Sequence, residues 1–94
     1  MAEFVASPDD QTRAQALSET LNATECVTIV AGIIANPNQI CRRERASYAV
    51  GAARGAAWTV GQIAKASPTP ENLTYAQMAE NAARSVELLM SLLK

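Results

Sequence analysis

Nineteen alanines are spread along this chain, and nowhere do apolar and polar residues alternate as they would along a half-buried strand. Alanine is the strongest helix former, because it loses no side-chain freedom on entering a helix. The fold class is therefore all-α. Ninety-four residues are enough for a single domain, residues 1–94, and a chain this short buries only roughly 60–65 % of the surface it exposes when unfolded.

Four segments carry helix-start chemistry. Ser7-Pro8-Asp9-Asp10 places a capping hydroxyl before a first-turn proline and two carboxylates at the positive end of the helix dipole. Asn22-Ala23-Thr24-Glu25 has the form of a capping box, and Asn36-Pro37-Asn38-Gln39 repeats it with glutamine. Ser67-Pro68-Thr69-Pro70-Glu71 ends one helix and begins another, since each proline disfavours helix in the residue before it.

The second signal decides the helix count. At about 100° per residue, Ala14, Leu17 and Leu21 share one face, whereas Cys26, Val27, Ile29, Val30, Ile33 and Ile34 centre roughly opposite. A straight helix would have to bury both sides in turn, so the sequence predicts a break near Asn22. The expected architecture is a small four-helix bundle, two short helices followed by a long antiparallel helical pair, over residues 8–21, 23–35, 37–66 and 70–93. Residues 1–6 are expected to fray. The third helix carries an alanine-rich apolar face from Ala46 to Ala64. The last presents Tyr75, Met78, Ala79, Ala82, Val86, Leu89, Met90 and Leu93 to it.

Chemistry is sparsely supplied. There is no histidine, no glycine-rich phosphate loop, no Cys/His metal spacing and no nucleophile–base pair. The expectation is a non-enzymatic protein with no cofactor and no metal. Cys26 and Cys41 would not lie level in a hairpin turning at Asn36-Pro37, so they are expected as free thiols of a cytoplasmic protein. Met1 to Ser7 lacks the basic and apolar regions of a secretory signal. The longest uninterrupted apolar run, Ile29 to Ala35 counting Gly32, is about seven residues against roughly 18 for a membrane span, so no membrane partner is expected.

Three features point to binding. Between Arg42 and Lys65 stand five bases and one acid, against a formal charge of −1 for the whole chain. Arg42, Arg43 and Arg45 crowd a helix start, where the dipole disfavours cations by about 0.3–1 kcal/mol each. Either acids of the same chain, such as Glu19 or Glu25, compensate them, or they steer an acidic partner. Trp58 falls on the polar edge of its helix, with Arg54 four residues earlier and able to lie over the indole. Gly51, Gly55 and Gly61 each weaken a helix by about 0.8–1 kcal/mol relative to alanine. The first two stack on one side and permit close approach, either by another helix of the chain or by a second subunit.

In size and helicity the chain resembles the WXG-type secreted helical hairpins. Trp58-Thr59-Val60-Gly61, however, has one residue too many between tryptophan and glycine, and it sits inside a helix instead of the hairpin turn. No family is assigned on that basis. The functional expectation is a cytoplasmic protein-binding module of the adaptor, inhibitor, immunity-type or chaperone-like kind. Trp58 and Arg54 would be its anchors, Arg42, Arg43 and Arg45 its steering charges, and Gly51 and Gly55 its point of close access, with a homodimer through the same edge as one form. The alternative is weak nucleic-acid association through the basic start of the third helix, which a single cluster of three arginines supports poorly.

Overall fold

A computed structural model describes residues 8–93. Within it run three helices: α1 (Pro8–Ala35), α2 (Arg42–Ala66) and α3 (Pro70–Ser91). They form an up-down-up three-helix bundle in which every helix packs against both others. The expected fray of residues 1–6, and the capping role of Ser7, lie outside the described residues.

The four-helix expectation is corrected at Asn22. α1 passes through that residue without interruption, and the reason lies in which residues it buries. Ala16, Thr20, Ala23, Cys26, Val30 and Ile33 form its buried stripe, whereas Leu21 is 59 % exposed and Leu17 also faces outward. The buried residues recur at intervals of three and four, the single continuous seam of a packed helix. The sequence suggests two opposed faces only if the larger aliphatics are taken as core. Thr20 is accommodated because its hydroxyl donates to the Ala16 carbonyl at 2.8 Å and reaches the Tyr75 carbonyl of α3 at 3.2 Å.

A second boundary also moves. Asn36 does not cap a helix at Pro37; its side-chain oxygen accepts from the Asn38 amide at 3.3 Å in a local turn, and α2 starts only at Arg42. Cys41 precedes it with φ 56°, a left-handed conformation, and provides no side-chain cap. The α2–α3 connection follows the sequence closely. Ser67 ends α2, Thr69 caps α3 by accepting from the Asn72 amide at 3.1 Å, and Pro70 occupies the first turn.

The core is divided along the bundle axis. At one end Cys26, Val30 and Ile33 of α1 and Val86 of α3, together with Leu93, pack on Ala46, Ala49 and Ala53 of α2, with Leu89 and Met90 half-buried beside them. At the other end Ala16, Ala23, Ala56, Val60, Ala79 and Ala82 meet. Large residues thus oppose an alanine face, and the small side chains let helix axes lie near the short end of the usual 8–10 Å range.

Candidate functional site

α2 determines what the bundle presents outward. Its inner seam (Ala46, Ala49, Ala53, Ala56, Val60 and Ala64) is buried by α1 and α3. On the opposite side of the helix, at the same alternating three- and four-residue intervals, run Glu44, Tyr48, Gly51, Gly55, Trp58 and Gln62, all exposed. Trp58 is 68 % exposed and Tyr48 82 %. An added Cβ would meet nothing within 4 Å at either Gly51 or Gly55. The close intrachain crossing weighed for these two glycines does not occur: no other helix of the bundle approaches them. They form an open saddle between two exposed aromatic rings.

The arginines separate. Arg54, expected over the indole, pairs instead with Glu87 of α3 and so ties two helices together at the flank of this face. Arg42 lies at the other side of its helix. Its Nε and Nη2 donate to the Ile33 carbonyl at 3.2 and 3.1 Å, and Nη2 also reaches the Ile34 carbonyl at 3.4 Å. The cation that a helix start disfavours is held by the negative end of the preceding helix, a compensation that comes from backbone and not from the carboxylates considered in the sequence. Arg43 is exposed, and Arg45 lines a groove of about 560 Å³ between α1 and α2, facing Glu19, Asn22 and Glu25 of α1. Tyr48 borders both this groove and the outer face.

Tyr48 is the residue that sequence reasoning missed. Its spacing from Gly51, Gly55 and Trp58 is a seam with no filling, and that interval is legible without coordinates. Both thiols are free; Cys26 is buried and Cys41 exposed. Burial, with the nearby Glu25 charge adding to it, pushes the Cys26 thiol above its ordinary range. Among the described residues, no cluster of three or more metal-ligating side chains is present.

Among the described residues, α1 is the one helix long and apolar enough to cross a membrane by length and composition, a test that core helices of bundles and N-terminal signal sequences also pass. A count of uninterrupted runs does not register this, because the apolar residues of α1 are interspersed with polar ones, Glu19 and Glu25 among them.

The class defined by these observations is an alanine-cored three-helix bundle with an unfilled second seam on its middle helix. Comparison with protein-family models, with curated proteins and with solved structures found no match.

Proposed function

We propose that the protein is a non-enzymatic, cytoplasmic protein-binding module that works through the outer face of α2. One observation carries this reading. Two glycines lower the stability of α2 by about 0.8–1 kcal/mol each at positions where the bundle itself leaves room for a side chain. Packing within the chain gives no reason for them, whereas a partner backbone seated between Tyr48 and Trp58 does. Exposed tryptophan and tyrosine are favoured anchors of such contacts, burying large area at small entropic cost. Arg43, exposed at the flank of the face, favours acidic groups at the margin of the partner. The engagement of Arg42 with α1 carbonyls removes one of the three cations on which nucleic-acid association would depend.

Site-specific photo-crosslinking tests the reading. A crosslinking residue at position 62, on the outer face, is compared in host cells with one at position 77, exposed on α3. A discrete protein adduct at position 62 that disappears with Trp58→Ala supports the proposal. Equal or absent crosslinking at the two positions overturns it.

A further inference from the structure

The unfilled seam of α2 reads the same from either end. Tyr48, Gly51, Gly55 and Trp58 are spaced aromatic, two residues, glycine, three residues, glycine, two residues, aromatic, with the centre of symmetry at the level of Ala53. A surface that is its own complement under reversal suits an isologous contact, in which the same patch on two subunits meets about a two-fold axis.

We propose that the occupant of this face is a second copy of the chain, docked antiparallel through α2; this rests on the outer face being a binding surface, as argued above. About an axis at Ala53, Gly51 meets the partner's Gly55, which lets the two backbones approach closely, and Trp58 meets the partner's Tyr48 at each end of the contact. The recurrence of every third and fourth residue is the period of a left-handed helix pair, so the seam stays in register along its length.

Charge selects the direction. Glu44 lies at the start of the seam, and Lys65 continues it at the end of α2; both are exposed. In the antiparallel arrangement each glutamate lies within one helical turn of the partner's Lys65. A parallel arrangement would set glutamate beside glutamate and lysine beside lysine. The other bases of α2 lie off this line: Arg42 on the α1 carbonyls, Arg54 at Glu87, Arg45 in the α1 groove and Arg43 on the α3 side of the helix. The seam itself is therefore electrically balanced. Leu17 and Leu21 expose a further apolar row on α1, but that row has neither the reversal symmetry nor the opposed terminal charges.

Sedimentation equilibrium of the full chain up to about 200 µM tests the inference. The expected result is a reversible dimer whose dissociation constant rises at least about tenfold with Gly55→Leu or Trp58→Ala. Because nothing lies near the position of an added Cβ, Gly55→Leu keeps or raises the thermal midpoint, which separates lost pairing from lost folding. Glu44→Lys alone weakens the dimer, and Glu44→Lys combined with Lys65→Glu restores it. A wild-type monomer throughout that range overturns the inference, as does a dimer indifferent to Gly55→Leu and Trp58→Ala. If the wild type is monomeric but position 62 crosslinks to a different protein, the second-copy inference fails while the binding face stands. If neither association is found, both readings fail.

Discussion

Arg42 donates from Nε and Nη2 to the carbonyl of Ile33, nine residues earlier, and so clasps the end of α1 from the start of α2. One side chain thereby satisfies carbonyls at the negative end of α1 and ties it to the start of α2, where the same cation alone would be unfavourable. Arg42→Ala should cost about 1.5–3 kcal/mol, the range for hydrogen bonds made by a charged group. Lysine, which lacks the planar fork, should recover less than half of that. Urea denaturation measures both, and equal stability of the alanine variant and the wild type would contradict the clasp.

Alanine at position 51 or 55 should stabilise the isolated subunit by about 0.8–1 kcal/mol each, and additively to within a few tenths. Denaturant midpoints at low protein concentration, where association does not contribute, are the appropriate measurement. Destabilisation by either substitution would mean that something in the bundle needs the glycine.

Along α1 from Ala16 to Ala23 the small side chains Ala16, Thr20 and Ala23, not Leu17 and Leu21, form the core contact. Ala23→Leu should therefore destabilise by about 1–3 kcal/mol through overpacking, while Leu21→Ala stays within about 0.5 kcal/mol of the wild type. A reversed order in thermal melts would restore the broken-helix reading.

Asn72 is 1 % exposed, donates from Nδ2 to the Ser67 carbonyl at 2.9 Å, and leaves its Oδ1 buried without a hydrogen-bond partner. Asn72→Ala loses one hydrogen bond but removes the orphan oxygen, so it should cost only about 0.5–1.5 kcal/mol. Asn72→Asp buries a carboxylate and should cost more at neutral pH. Burial raises the pKa of that carboxyl in the folded state, so part of the loss should be recovered as the pH is lowered and the carboxyl takes a proton. A flat pH profile for the aspartate variant would argue against a dry site.

Cys41 should react with iodoacetamide at neutral pH in the folded protein, and Cys26 only after unfolding, because one thiol is exposed and the other buried with a raised pKa. The same shift has a stability consequence. The folded state holds the Cys26 proton more tightly than the unfolded chain, whose thiol titrates near about 8.5. This contribution is complete below that pH and is lost as the pH rises through the folded value. Cys26→Ala should flatten the alkaline fall in stability.

Much of the architecture was legible from residue order. The break at Ser67-Pro68-Thr69-Pro70, the amphipathic α3 and the alanine face of α2 follow from proline stereochemistry and helical periodicity. The number of helices did not follow, because Asn22 with Glu25 has the local form of a cap, and Leu17 and Leu21 have the size of core residues. Local chemistry offered two solutions there, and packing against α2 and α3 selected the one that buries Ala16, Thr20 and Ala23. Trp58 was identifiable as an outlier on a polar edge, whereas the fates of Arg42 and Arg54 depended on groups nine and thirty-three residues away.

The sequence by itself determined that this chain is helical, where its last two helices are divided, and that α2 carries glycines that weaken a helix. Those properties reside in the backbone preferences of single residues and in spacing along one helix. Only the tertiary structure decided that α1 runs unbroken, which arginines are engaged, and that Gly51 and Gly55 face open space between two aromatic rings. Such properties depend on which helix faces meet, and with an alanine core the faces that meet are those allowing the closest approach, whatever the size of the side chains elsewhere on the helix.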